Sequence, residues 1–121
     1  MLIKENEFIP VDDLIELYAS VGWSTYSKKN PLLLEQAFKN STYVFNAWEE
    51  NQLIGLIRGL CDKVSINFIQ DLLVHPDFQR KGIGRALIQT VLNEYQDVRK
   101  QVLLTDDEEK QKYFYETHYL K

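Results

Sequence analysis

The sequence predicts a single mixed α/β domain covering residues 1–121, and three features of its pattern support this fold class. Apolar residues recur at helical spacing near the N-terminus and again after residue 82. Between these segments, β-branched and aromatic runs are separated by short polar turns, as in antiparallel strands. A strand, a helix and a further strand then follow one another over 64–105, which indicates a right-handed crossover between two parallel strands.

Composition narrows the class of protein. Hydrophobic residues make up 45% of the chain and charged residues 26%, as in an ordinary globular protein. No apolar run reaches the roughly 18 residues of a spanning helix, and acidic residues interrupt the first segment where a signal peptide is apolar. We therefore expect no membrane partner and a cytoplasmic location. Cys61 is the only cysteine and the two histidines lack ligand spacing, so no metal site is expected. The net charge of −4 disfavours nucleic acid and suits a cationic amine.

The first third of the chain predicts a short edge strand at 2–4 followed by two helices. Asp12 is expected to cap the first helix, and Gly22 to end it. After a loop, Pro31 suits the first turn of a second helix that reaches about Lys39.

The middle of the chain predicts a hairpin made of strands 42–48 and 52–60. A long strand follows over 64–74, and its continuous apolar end, Leu72–Val74, is expected to be buried on both faces. A helix from residue 82, a short strand over 99–105 and a last helix from about residue 106 to His118 complete the prediction.

The turn between the long strand and its helix carries the strongest functional signal. Its sequence is Gln79-Arg80-Lys81-Gly82-Ile83-Gly84-Arg85. The first turn of a helix has N–H groups without internal partners and the positive end of the peptide dipoles. Glycines there let a bulky diphosphate approach the main chain, and three basic side chains add positive charge. The pattern predicts a pyrophosphate site.

Two other nucleotide-binding motifs do not fit this turn. A P-loop requires its lysine after the second glycine, whereas Lys81 precedes Gly82. A dinucleotide-binding fingerprint requires a third glycine at the position that Leu87 occupies.

The run that remains is Asp71-Leu72-Leu73-Val74-His75-Pro76-Asp77-Phe78-Gln79-Arg80-Lys81-Gly82-Ile83-Gly84. It resembles the acetyl-CoA motif of the GNAT N-acetyltransferase superfamily. The resemblance implies a GNAT-like, mixed and mostly antiparallel sheet with a central splayed parallel strand pair and flanking helices. It also implies acetyl-CoA as co-substrate, with the main chain of Leu72, Leu73 and Val74 binding the pantetheine arm. Residues 79–85 would hold the pyrophosphate, and an amine of a small molecule or peptide would attack the thioester directly.

The same resemblance suggests catalytic and acceptor residues. Tyr115 matches the tyrosine that protonates the departing sulfur in the family. Asp71 is the best candidate for a base, acting directly, through water or by attracting a cationic substrate. Trp23 and Tyr26, in the loop between the first two helices, are expected to enclose the amine.

The end of the chain departs from the family pattern, since Tyr119 stands where glycine is usual and further strands normally follow. Their absence would expose the edge beside Val102, so we expect a homodimer that covers it, or a reorganised C-terminus. The same departure keeps a second function open, a regulatory module that binds acyl-CoA without transferring the acyl group. A nucleic-acid-binding domain using the basic turn fits the acidic balance poorly.

Overall fold

The computed structural model describes residues 1–5, 8–22 and 31–103. The predicted last helix and the end of the strand at 99–105 lie outside these ranges. In chain order the elements are β1 (Leu2–Glu5), α1 (Val11–Ser20), α2 (Pro31–Lys39), β2 (Tyr43–Glu49), β3 (Gln52–Cys61), β4 (Ile66–Val74), a 3-10 turn (Pro76–Phe78), α3 (Ile83–Glu94) and β5 (Lys100–Leu103).

The five strands within the described residues form one mixed sheet in the order β1-β2-β3-β4-β5. Neighbours are antiparallel from β1 to β4, whereas β4 and β5 are parallel, with Ile66 opposite Lys100 and Ile69 opposite Leu103. Helix α3 connects these two parallel strands. The predicted mixed, mostly antiparallel sheet with one parallel pair is confirmed.

The first helix differs from the sequence-based expectation at its start. It begins at Val11, and Pro10 occupies the cap position without a side-chain hydrogen bond, so the prediction that Asp12 caps the helix is wrong. Proline is favoured at a helix start because its fixed φ matches the helix and it has no N–H to satisfy. Asp12 lies in the first turn instead, where its charge complements the helix dipole. Gly22, with φ +84°, follows the helix end as predicted.

The sheet separates two apolar layers. One lies under α3 and contains Tyr43, Phe45, Ala47, Ile54, Ile57, Ile69, Ile83, Leu87, Ile88 and Val91. The other lies under α1 and α2 and contains Ile9, Leu14, Leu17, Tyr18, Leu34, Val44, Leu53, Leu56 and Leu73. The central strands β3 and β4 therefore contribute buried side chains to both layers.

A β-bulge in β4 sets which of its side chains reach each layer. Arg58 pairs with Asp71 and Gly59 with Ile69, so Gln70 is an extra residue on β4. Side chains beyond a bulge change faces. Ile69 accordingly packs in the α3 layer, whereas Leu73, four residues on, packs in the α1 layer.

The predicted burial of Leu72–Val74 on both faces is only partly correct. Leu73 is buried, whereas Leu72 and Val74 are half-buried against the edge of the α3 layer. Leu72 and Val74 lie beyond Ile69, the last residue of β4 that pairs with β5 within the described residues, so no described strand flanks them on that side.

We predict that Gly59→Ala lowers the free energy of unfolding by about 3 kcal/mol, because overpacking at a rigid contact cannot relax. A Cβ at this position would overlap the Tyr43 hydroxyl and lie 2.5 Å from the Phe68 carbonyl oxygen. Gly55→Ala is the matched control in the same strand, since its Cβ would lie 3.1 Å from the Leu73 carbonyl oxygen. We expect a loss of about 1 kcal/mol there. Urea unfolding of the two variants measures the difference, and equal losses would contradict the prediction.

Candidate functional site

The end of β4 presents its main chain on the side away from β3. The His75 N–H donates to the Ile54 carbonyl at 2.8 Å, so His75 faces β3. Because main-chain groups alternate between the two edges of an antiparallel strand, Leu72 and Val74 face the opposite edge. The described register with β5 ends at Ile69 and Leu103. Within residues 1–5, 8–22 and 31–103, residues 70–74 thus have no strand neighbour on that edge.

The turn after β4 contains two left-handed residues. Arg80 has φ +64° and Gly82 has φ +84°. Left-handed conformations are rare for residues with a Cβ and cost about 1 kcal/mol, and they concentrate at functional sites. Such turns direct successive N–H groups toward one point and form concave sites for anions.

Helix α3 begins directly after this turn, with Gly82 at its cap position. The first helical hydrogen bond runs from the Ala86 N–H to the Gly82 carbonyl at 3.0 Å. The N–H groups of Ile83 and Gly84 therefore precede the hydrogen-bonded ladder, and Gly82 offers no side-chain cap. Arg80, Lys81 and Arg85 are exposed around this helix start. Oriented N–H groups and three cationic side chains together suit a diphosphate.

Local contacts hold the turn against the strand. The Gln79 side-chain amide donates to the Val74 carbonyl at 3.0 Å, and the Asp77 N–H donates to His75 Nδ1 at 3.1 Å. The Lys81 ammonium lies 5.4 Å from the centre of the Phe78 ring. The Gln79 hydrogen bond thus holds the start of the turn, residues 79–85, against the end of β4, residues 72–74. These two groups are the predicted donor-binding residues.

Asp71 lies immediately after the β4 bulge and is bound by two side chains. Its Oδ2 atom accepts from Arg58 Nε at 2.6 Å and from the Tyr18 hydroxyl at 2.8 Å. The Arg58 and Asp71 side chains are only 15% and 11% exposed. No residue in the described ranges donates to Oδ1. The carboxylate is therefore held by β3 on one side and by α1 on the other.

The surroundings of Arg58 and Tyr18 favour their protonated forms, which are the forms that donate hydrogen bonds to Asp71. Burial lowers the pKa of Arg58, but attraction to Asp71 and the hydrogen bonds outweigh it, so the net pKa is raised. Burial, followed by the charge of Asp71, raises the pKa of Tyr18 well above its usual value. Tyr18 therefore remains a hydrogen-bond donor and Arg58 a cation across the physiological range. Arg58 also donates to Ser41 Oγ at 3.3 Å and lies over the Phe38 ring at 5.3 Å.

Arg58 and Tyr18 were not predicted from the sequence as site residues. Arg58 is the one charged residue in the otherwise apolar run Leu53–Leu60, which is a signal that a buried partner was needed. Tyr18 falls on the apolar stripe of α1 and carries no such signal. The other predicted site residues, Tyr115, Trp23 and Tyr26, lie outside the described residues.

The described residues contain no group of three or more His, Cys, Asp or Glu side chains arranged to hold a metal ion. Among the same residues, no helix has the length and apolar character needed to cross a membrane.

Comparison with protein families identifies this arrangement. Residues 40–118 match the family model described as an acetyltransferase (GNAT) domain, which spans β2 to β5 and the turn. The chain belongs to the GNAT acetyltransferase family. The GNAT resemblance drawn from Asp71–Gly84 is confirmed.

Curated relatives agree with this assignment. The chain is 29% identical over 104 residues to the uncharacterized N-acetyltransferase ycf52 of Gracilaria tenuistipitata var. liui, and 34% identical over 104 residues to a ycf52-like protein of Prochlorococcus marinus. These matches cover 84% and 78% of this chain. The chain spans only 57% and 56% of the lengths of the two relatives.

Solved structures share the fold. A GNAT-family acetyltransferase from Streptococcus pneumoniae TIGR4 superposes with a TM-score of 0.81 at 34% identity, covering 96% of this chain and 83% of that protein. The aminoglycoside N-acetyltransferase AAC(6')-Iy, in complex with CoA, gives a TM-score of 0.75 at 15% identity and covers 99% of this chain and 87% of its own. At that identity the second likeness concerns the fold alone.

We predict that Tyr18 makes stability fall at alkaline pH. Its folded pKa is raised above the unfolded value of about 10. The resulting stabilisation is fully present below pH about 10 and is lost as the pH rises toward the folded value, because the unfolded state ionises first. Between pH 8 and 11 the wild type should lose about 1.4 kcal/mol more than Tyr18→Phe in urea unfolding. Equal losses in the two proteins would contradict the assignment.

Proposed function

We propose that the chain is an acetyl-CoA-dependent N-acetyltransferase that transfers the acetyl group directly to a primary amine of a small molecule or peptide. The observation that carries this proposal is the outward-facing main-chain edge of Leu72 and Val74 beside a turn with two left-handed residues. The edge can accept an extended arm as an added strand, and the turn can bind the phosphates at the end of that arm. Family membership supports the reaction type, and one structural neighbour holds CoA.

The donor would be bound chiefly by main-chain groups. The N–H and carbonyl groups of Leu72 and Val74 would pair with the amides of pantetheine, as in strand addition. The Gln79 side chain, which donates to the Val74 carbonyl, would be displaced from it or would share it. The N–H groups around Gly82 to Gly84 would bind the pyrophosphate, with Arg80, Lys81 and Arg85 neutralising its charge.

The reaction requires two proton transfers, one from the amine and one to the thiolate, and no covalent enzyme intermediate. The neutral amine nitrogen forms a bond to the thioester carbonyl carbon, the carbon–sulfur bond breaks, and the thiolate of CoA takes a proton. We propose Tyr115 as the donor of that proton. The proton lost from the attacking nitrogen would pass to Asp71, directly or through water, by way of its Oδ1 atom.

The acceptor is proposed to bind beside α1. Tyr18 of α1 contacts Asp71, and the chain after α1 carries Trp23 and Tyr26, which we propose to contact the amine. Aromatic faces attract ammonium groups, and the net charge of −4 favours the approach of a cationic substrate. The homodimer and the cytoplasmic location stay predictions.

The experiment that tests this proposal measures thiol release from acetyl-CoA across a panel of primary amines. We expect binding of acetyl-CoA and turnover with at least one amine class. Binding without turnover across alkyl, aryl and peptide amines would favour the acyl-CoA-binding regulatory module. No binding of acetyl-CoA would contradict both functions.

We predict that Gly82→Ala weakens acetyl-CoA binding about fivefold, because a Cβ at this position would crowd the phosphates that approach the main chain. Gly22→Ala is the matched control. Both glycines have φ +84° and open space within 4 Å of an added Cβ, so the backbone strain is the same. Gly22 follows the end of α1 and is not part of the turn after β4. Titration calorimetry should therefore show unchanged affinity for Gly22→Ala, and a loss in both variants would contradict the site.

We predict that Tyr115→Phe lowers turnover at least a hundredfold while acetyl-CoA affinity changes less than about twofold, since loss of a general acid affects the transition state alone. Asp71→Asn tests the proposed base by its turnover at saturating acetyl-CoA and amine, because it removes the charge and preserves the shape of the side chain. Thiol-release rates at saturating amine and calorimetric dissociation constants provide the two readouts. Wild-type turnover in Tyr115→Phe would remove this tyrosine from the mechanism.

A further inference from the structure

The end of β4 has no pattern of its own that determines which face each side chain takes. Leu72, Leu73 and Val74 are three consecutive apolar residues, and both faces of the sheet are apolar here. A slip of one residue would exchange similar side chains between the two layers. Register is weakly specified in such a segment unless another feature selects it.

Asp71 is the residue that distinguishes the two faces and so selects the register of this end of β4. In the observed register the bulge at Gln70 turns Asp71 toward α1, where Arg58 lies directly opposite and Tyr18 donates from the helix. Without the bulge, Asp71 would follow the same face as Ile69, into the α3 layer. That layer is built from apolar and aromatic side chains, and an unpaired carboxylate there would be strongly unfavourable.

The bulge also determines which main-chain groups face the outer edge of β4. With it, Ile57 is opposite Leu72 and Gly55 is opposite Val74, and the His75 N–H points to β3. Without it, Ile57 would be opposite residue 71, and the groups of Leu73 would face outward in place of its neighbours. The hydrogen-bonding positions offered to an added strand would move by one residue, about 3.3 Å.

We propose that Arg58 is a positioning residue for acyl-donor binding: its ion pair with Asp71 fixes the β4 bulge and so directs the main chain of Leu72 and Val74 toward the donor. The effect on acyl-donor binding rests on the proposed function. The effect of the ion pair on the bulge rests on the strand register alone. The outward-facing main-chain edge of Leu72 and Val74 is called the donor edge. Arg58 does not touch it, since the Arg58 side chain lies between Asp71, Ser41 and Phe38.

The decisive variant replaces the pair by apolar residues, Arg58→Met with Asp71→Leu. Well-packed apolar residues in place of a buried ion pair often preserve or raise stability, so a merely structural role predicts a normal protein. The positioning role predicts retained thermal stability with loss of the unique register, because leucine at position 71 fits either layer. Acetyl-CoA should then bind about tenfold more weakly, the effect of losing one or two main-chain hydrogen bonds. Binding rather than turnover is measured, so the proposed chemistry of Asp71 does not enter.

Two further variants serve as controls. Tyr18→Phe removes the other hydrogen bond to the same carboxylate but leaves the ion pair across β3 and β4, so affinity should stay within about twofold of wild type. Arg58→Lys retains a cation opposite Asp71 and should keep most of the affinity. Arg58→Lys also tests the proposal if the double variant does not fold. A tenfold loss of acetyl-CoA affinity in Arg58→Lys, with the native strand register retained, would overturn the positioning role.

Strand register is read independently of any ligand from NMR contacts between backbone protons of β3 and β4. The wild type should show a contact from Ile57 to Leu72, and the double variant an additional or exclusive contact to residue 71. A double variant with the native contact and wild-type affinity overturns the proposal, as does a shifted register with unchanged affinity. If the wild type binds no acetyl-CoA, the proposed function fails, and the NMR contacts alone still decide whether Arg58 and Asp71 fix the bulge.

Discussion

Arg58 and Asp71 face each other across β3 and β4 at 2.6 Å, beneath α1 and largely out of water. Their mutual attraction is offset by the free energy needed to desolvate both charges, so the pair contributes little net stability. Its influence on structure is larger, because removing either partner leaves a buried charge, at a cost of about 3–5 kcal/mol. The ion pair therefore excludes alternative arrangements of β4 more than it strengthens the observed one.

The two-layered core explains why such a constraint is needed. A central strand covered on both faces has no polar side to orient it, and in this chain β3 and β4 both contribute to the α1 and α3 layers. Polar pairs recur where orientation matters. Tyr43 donates to Asn67 at 2.9 Å, and Asn67 donates to Gln101 at 2.8 Å, which joins β2, β4 and β5 beneath α3. These side chains bind one another across three strands, and the Gln101 amide also donates to the Tyr95 carbonyl at 3.0 Å, so the register is specified without leaving these groups unsatisfied.

The turn after β4 is constructed differently, from local interactions. The contacts of Gln79 with Val74 and of Asp77 with His75 span only a few residues. Its two left-handed residues and the helix start at Ile83 likewise depend on neighbouring chain. The donor edge and the turn thus have separate origins: long-range pairing orients the edge, and local geometry shapes the turn. Their junction is the Val74 carbonyl, which the Gln79 amide binds.

This difference in range explains what the sequence by itself determined. The mixed sheet, the crossover helix and the turn at Gln79–Gly84 were predictable, because periodicity, glycine placement and helix-start chemistry act over a few residues. Asp12 as a helix cap was wrong because the fixed φ of Pro10 starts the helix earlier. The partners of Asp71 were decided only by the tertiary structure. Arg58 lies 13 residues away and Tyr18 lies 53 residues away, and they meet because the bulge at Gln70 turns Asp71 toward them. Three consecutive apolar residues gave no information about that bulge, since either face of β4 would have accepted them.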